Sequence, residues 1–243
     1  MKYSTKMYYN EDFYKSYDMD YRYLYNIPLL LMYFLQHQVV TMLCTSVCTE
    51  TGFGVYPAKC LPQPGHGPTA QHSLLKLAAG APEVALEQEY NFSMLKCFEN
   101  AKLLLGPKMK DTMRGWDMST QYWFWTNVYK NTIKSKKEVR SACSFLAWTI
   151  WCGLALPQLI ISTTLWVYVH LESEYAELYD TSSSMRLTFD IGYSIMRILC
   201  LIYLTPCFVL DDSAIIIKYY SSLVWIYHLV LLGLILTALL VNR

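Results

Sequence analysis

Two short stretches each set one reactive side chain beside tryptophan: Trp116-Asp117-Met118-Ser119 and Trp151-Cys152-Gly153. A carboxylate such as Asp117 can serve as a general base. It also stands just before a stretch with helical character, where Asp is a favoured N-cap that accepts hydrogen bonds from first-turn amides. Both readings stay open at this point. Cys152 is a poor base, because a free thiol titrates near ~8.5 and an apolar surrounding raises that value. No Lys, Arg or His stands nearby in sequence to lower it. A thiol can instead act as a nucleophile that accepts an acyl group, or pack as a small hydrophobe. Cys44, Cys143, Cys200 and Cys207 also lie inside apolar runs, and Cys48 ends one, so packing is expected for them. Cys44 and Cys48 are four apart on one helical face with no His at zinc spacing, and no metal site is expected. Thr51-Gly52-Phe53-Gly54 lacks the Lys and the preceding strand that a phosphate loop needs. His66 and His72 read as loop residues with nothing to mark them as ligands.

The elements that must position these groups are set by an apolar solvent. Of the 243 residues 54% are hydrophobic and 16% charged, against roughly 25% charged in soluble domains. Mean hydropathy is +0.20. The 21 Tyr and 7 Trp suit the membrane–water interface. A net charge of +1 gives no electrostatic case for nucleic acid. A transmembrane helix needs about 20 apolar residues, and about four spans are expected, near 23–49, 141–170, 187–210 and 219–242. The first has no formal charge between Arg22 and Glu50, with Gln36, His37 and Gln38 as a polar face at its middle. The second is too long for one straight span and should break at Gly153 and Pro157. In the third, Asp190 and Arg197 are seven apart and share a face directed into the bundle.

The fold class expected is therefore an all-α integral membrane protein, with re-entrant or interfacial helices beside the spans. Residues 1–22 form a polar, Tyr-rich N-terminal segment without a signal-peptide core, so the first span is expected to act as its own insertion signal. Residues 23–243 form the membrane domain. Residues 51–80 are rich in Gly and Pro, including Gly65-His66-Gly67, and read as coil. Residues 90–140 are a basic amphipathic segment with ten Lys or Arg against four acids, which favours the cytoplasmic side. The connection carrying Glu172, Glu174, Glu177 and Asp180 would then lie on the opposite side.

The run Trp116-Asp117-Met118-Ser119-Thr120-Gln121-Tyr122-Trp123, closing with Val128-Tyr129-Lys130, resembles a motif of the membrane-bound O-acyltransferases: W-N-x-[ST], an aromatic helix, then Y-K. Trp151-Cys152-Gly153 resembles the family's second motif, W-H-G, in order and spacing. Thr51-Gly52-Phe53-Gly54-Val55-Tyr56-Pro57, Glu89-Tyr90-Asn91 and His228 resemble features of the branch that acylates lysophosphatidylinositol. The likeness runs from about Glu11 onward, and the family's N-terminal half has no counterpart in this chain. It implies a partial O-acyltransferase-like helical bundle, corresponding to the C-terminal half only.

The family transfers an acyl chain from acyl-CoA to a hydroxyl within the membrane. Its His is thought to act as base on the acceptor, which suits a neutral imidazole. Its Asn is thought to assist there, as an amide can steady an oxyanion without adding charge. Here Cys152 holds the His position and Asp117 the Asn position, while Ala155 and Leu156 replace a further His and Pro. Loss of a general base costs about 10² to 10⁴ in rate, or roughly 3 to 5 kcal/mol. The resemblance also carries substrate-binding roles onto Trp116, Gln121, Trp123, Tyr129, Lys130, Trp151 and Gly153; interfacial anchoring is the rival reading for the tryptophans. Lys134, Lys136 and Lys137 could meet phosphates of CoA or of an inositol lipid, or simply set topology. It implies no bound cofactor, acyl-CoA as co-substrate, membrane lipids and lysophospholipid as partners with room for a protein partner, and the endoplasmic reticulum. The expected function is a diverged lysophospholipid acyltransferase relative with weak or no catalysis and a residual lipid- or partner-binding role. The alternative is an active acyl-CoA:lysophosphatidylinositol acyltransferase with a non-standard site.

Overall fold

The structure, a computed structural model, describes residues 3–132, 136–176 and 186–241. Lys134, Glu177, Asp180 and Asn242, which enter the expectations above, lie outside them. The helices in chain order are α1 (Glu11–Ser16), α2 (Met19–Leu24), α3 (Asn26–Glu50), α4 (His72–Gly80), α5 (Pro82–Leu86), α6 (Asn100–Leu105), α7 (Met109–Gly115), α8 (Met118–Phe124), α9 (Lys137–Trp151), α10 (Leu156–Glu174), α11 (Arg186–Val209), α12 (Ser213–Ser222) and α13 (Ile226–Val241). Among the described residues the only strands are Tyr56–Pro57 and Tyr90–Asn91, paired antiparallel. The protein is thus all-α, as its composition implied. Among the described residues two helices are long and apolar enough to cross a membrane, Met19–Glu50 and Arg186–Val209. A third crossing results if α12 and α13, bent by 68°, form one broken span. Two or three crossings on this measure compare with the expected four. The difference lies at 141–170, where one kinked span was expected and two helices are found.

Contacts divide the chain into two units: Met1–Gln36 with Pro107–Lys110 and Thr132–Arg243, and His37–Gly106 with Asp111–Asn131. The packing does not divide at residue 22. In the first unit the Tyr-rich N-terminal segment is held against the membrane helices. Tyr8 and Phe13 are fully buried. Tyr8 donates its hydroxyl to Asn26 Oδ1 at 2.6 Å, and Asn26 Nδ2 donates to Tyr219 Oη at 2.8 Å and to the Ile202 carbonyl at 2.9 Å. The last bond has a specific cause. Pro206 lies inside α11 and has no N–H to return to the carbonyl four residues earlier. That carbonyl is Ile202, and the buried Asn26 amide satisfies it. Membrane helices tolerate proline when a neighbour re-satisfies the freed backbone group. Lys218 and Glu11 add an ion pair at the surface.

Helices α9 and α10 fold back on each other. Thr149 Oγ1 and Ser162 Oγ, thirteen residues apart, are hydrogen-bonded at 2.7 Å. The fold-back is encoded by the turn between the helices. Gly153 N–H donates to Ile150 O at 3.1 Å and Leu154 N–H to Thr149 O at 2.9 Å, the paired bonds of a Schellman helix stop. Gly153 has φ +105°, which only glycine adopts without strain. Pro157 then stands in the first turn of α10, where its fixed φ is favourable. The expected break at Gly153 and Pro157 is present. At 15 residues, α9 is about 22 Å long, short of the ~30 Å hydrocarbon core. At the far end of α10, buried Glu172 accepts hydrogen bonds from the Met109 and Lys110 amides, capping the start of α7.

In the second unit, part of the segment read as coil is ordered as β1 (Tyr56–Pro57) and helix α4. Gln38 Nε2 donates to Asn100 Oδ1 at 3.4 Å, and the His37 ring lies 5.7 Å from Trp116. The polar middle of α3 therefore meets protein at these two positions, while Gln36 is exposed.

Candidate functional site

Asp117 and its neighbours belong to the second unit, Cys152 and its neighbours to the first. Asp117 is the N-cap of α8: its Oδ1 accepts from Thr120 N at 3.3 Å. Its backbone is left-handed, φ +42°. Asn and Asp are the non-glycine residues that enter this region most readily, and both are good N-caps. An Asn and an Asp are thus interchangeable for the backbone here, though not for a developing negative charge. Capping, one of the two readings left open, is realised in the geometry.

Around Asp117 the loop is closed by neighbours. Gln121 Nε2 donates to Trp116 O at 2.6 Å, and Met118 N donates to Cys97 O at 2.9 Å. Trp116 packs against Phe98 at 4.9 Å between ring centroids. Burial, with Asp117 as the next cause, pushes the Cys97 thiol pKa up. Downstream, residues 125–129 form a π-helical turn, and Lys130 Nζ sits 3.7 Å from the centre of the Trp125 ring. Trp123 and Lys130 are exposed and Tyr129 is half-buried. The structure thus gathers Trp116, Asp117 and Gln121 into one turn, with Trp123, Tyr129 and Lys130 farther along the same stretch.

Cys152 is the C-cap of α9, at the tip of the hairpin, followed by the helix-stopping Gly153. The thiol is exposed. This corrects the expectation of buried packing, which also fails for Cys44 and holds for Cys200 and Cys207. An apolar run in sequence signals an apolar surrounding, and at a hairpin tip that surrounding is not the protein's own core. Trp151 is 69% exposed. Gly153 meets nothing within 4 Å of an added Cβ, so its role here is conformational.

Sequence reasoning passed over three residues that build the Asp117 turn. Gly65, φ +66°, lies so close to α8 that an added Cβ would stand 2.7 Å from Ser119 Cα. The paired glycines of Gly65-His66-Gly67 were the available signal. His66 stands edge-on to Tyr122 at 4.9 Å, and Cys97 receives the Met118 amide; neither carries a sequence signal. In the first unit His228 bridges Thr164 Oγ1 at 3.1 Å and Tyr203 Oη at 2.8 Å. Among the described residues no group of three His, Cys, Asp or Glu could hold a metal ion.

An all-α chain with apolar crossing helices is an integral membrane protein, and comparison with known proteins gives its kind. No family model matches the chain. It is 25% identical over 218 residues to the membrane-bound acylglycerophosphatidylinositol O-acyltransferase mboat7 of Xenopus laevis, covering 89% of this chain and 46% of that protein. Its identity to the enzyme of the same description, frj, of Drosophila melanogaster is 27% over 225 residues, covering 90% and 43%. The human protein MBOAT7 is 26% identical over 216 residues, covering 87% and 44%. The chain spans less than half the length of these curated relatives and aligns with their C-terminal part. The similarity is to the C-terminal part of membrane-bound O-acyltransferases.

Proposed function

We propose that this chain is a diverged lysophospholipid acyltransferase relative of the endoplasmic reticulum membrane that retains lipid or partner binding and transfers acyl groups weakly or not at all. The observation that carries the reading is the residue pair at the two motif positions. Asp117 and Cys152 take up backbone duties, a helix cap and a helix end, yet neither supplies the group the family chemistry uses. A thiol is a poorer general base than an imidazole at physiological pH. The carboxylate would repel an oxyanion developing beside it. Acyl-CoA and lysophospholipid are the ligands proposed, by analogy with the acyltransferase relatives.

A second reading is favoured by one fact, the exposure of Cys152. In it the Cys152 thiolate attacks the acyl-CoA carbonyl, the bond to the CoA sulfur breaks, and CoA leaves as a thiol. The lysolipid hydroxyl then attacks the new thioester, loses its proton and regenerates the Cys152 thiol. The experiment is expression in membranes lacking endogenous activity, with acyl-CoA and lysophosphatidylinositol supplied. The first reading expects little or no transfer. Robust transfer lost in Cys152→Ala would replace it with the second. Activity appearing only in the double variant Asp117→Asn/Cys152→His would show a competent scaffold limited by those two positions.

A further inference from the structure

The α9–α10 hairpin carries an open surface depression of about 460 Å³ lined by Glu138, Val139, Ala142, Cys143, Leu146 and Trp166. A second, half-open depression of about 150 Å³ shares Ala142, Leu146 and Trp166 with the first and reaches the Thr149–Ser162 pair. Together they make a groove along the hairpin that is apolar apart from Glu138 at one end and hydroxyls at the other. Its length is informative. The rise from Val139 to Thr149 is about 15 Å at 1.5 Å per residue, half the ~30 Å hydrocarbon thickness. The groove is therefore as long as one leaflet is deep. Its mouth is positive: Lys136 and Lys137 are exposed, and with Arg140 they outnumber Glu138.

An apolar groove one leaflet long with a cationic mouth fits a chain with an anionic head. We propose that the α9–α10 groove binds an anionic phospholipid, one acyl chain lying along Ala142, Cys143, Leu146 and Trp166 and the head group meeting Lys136, Lys137 and Arg140. This rests on the membrane assignment and not on chemistry at Asp117 or Cys152. It therefore survives if the acyl-transfer reading fails.

The test uses the full chain in phosphatidylcholine nanodiscs carrying a trace of phosphatidylserine or phosphatidylcholine with a diazirine in one acyl chain. After irradiation the labelled residues are mapped by mass spectrometry. A lysine near an anionic head group is worth about fivefold in binding, so the serine lipid should label the Cys143 and Trp166 peptides roughly 25-fold more than the choline lipid through two lysines. Lys136→Gln with Lys137→Gln should bring the two probes level. Ala142→Trp should remove groove labelling and leave labelling at Leu35 and Leu43 of α3 unchanged, while Ala142→Ser keeps the groove open and labelled. Equal labelling of the groove and of Leu35 and Leu43 would mean annular lipid only and would overturn the proposal. So would displacement of the serine lipid by stoichiometric oleoyl-CoA, which would make acyl-CoA the occupant.

Discussion

Asn26 and Pro206 should be energetically coupled although they are distant in sequence. Asn26→Leu keeps the side-chain volume and removes the amide. Tyr8 then loses its acceptor and the Ile202 carbonyl loses its donor, both in a fully packed setting. A buried polar group left unsatisfied costs about 1 to 3 kcal/mol, so the substitution should cost about 2 to 6 kcal/mol. Pro206→Ala restores an N–H to Ile202 O. In that background the same substitution strands only the Tyr8 hydroxyl, and its cost should fall by about 1 to 3 kcal/mol, the coupling energy of a double-mutant cycle. The readout is thiol labelling during denaturation in detergent micelles. Cys200 and Cys207 are buried in the first unit, and Cys60, buried in the second, serves as the internal control. An equal cost of Asn26→Leu in both backgrounds would refute the argument that the amide compensates for the proline.

Four further outcomes are expected. Gly65→Ala combines a left-handed φ, about 1 to 2 kcal/mol, with a Cβ 2.7 Å from backbone, so it should speed labelling of Cys60 and leave Cys200 and Cys207 slow. Gly153→Ala meets no steric obstacle and should lose about 1 to 3 kcal/mol from conformation alone, measurable as a lowered melting temperature; Gly153→Asn should recover part of it. Thr149→Val should destabilise by about 1 to 3 kcal/mol by leaving Ser162 short of a partner, and the double variant Thr149→Val/Ser162→Ala should be milder than the sum of the singles. The hydrogen bond and charge of Lys218 hold the Glu11 carboxyl below its ordinary 4.5. A depressed folded-state pKa gives stability that is present above 4.5 and lost as pH falls through the lower folded value, so protection of residues 3–16 from protease should fall in that acid range and become flat in Glu11→Gln.

The readable parts of the fold were those where local chemistry decides. The uncharged run after Arg22 and the break at Gly153 and Pro157 are written in residue types. That Thr149 and Ser162 then meet across the hairpin is a tertiary pairing, which no local pattern announces. The bend between α12 and α13 falls at Leu223, Val224 and Trp225, where Val224 and Trp225 have φ +53° and +49°. Neither a Gly nor a Pro marks it, and β-branched and aromatic residues argue against a left-handed turn. The N-terminal tyrosines looked polar because their partners, Asn26 and Tyr219, are distant in sequence. At the candidate site the two motif positions were legible. The supports were not: Gly65 acts through closeness to Ser119, and Cys152 is exposed where an apolar neighbourhood suggested burial.

The hairpin also bears on how its two ends are arranged. Because α9 and α10 fold back at Gly153, the ends of the hairpin at Lys137 and Glu174 lie on the same side of its tip. Glu172 anchors this arrangement by its bonds to the Met109 and Lys110 amides, which puts the acidic end of α10 beside part of the basic segment. Counting apolar runs had put the two on opposite faces. Acidic residues contribute little to orientation, so nothing in the charges opposes the shared side. Lysine and arginine near the hairpin ends, rather than the count of apolar runs, are therefore the residues whose placement bears on the orientation of α11.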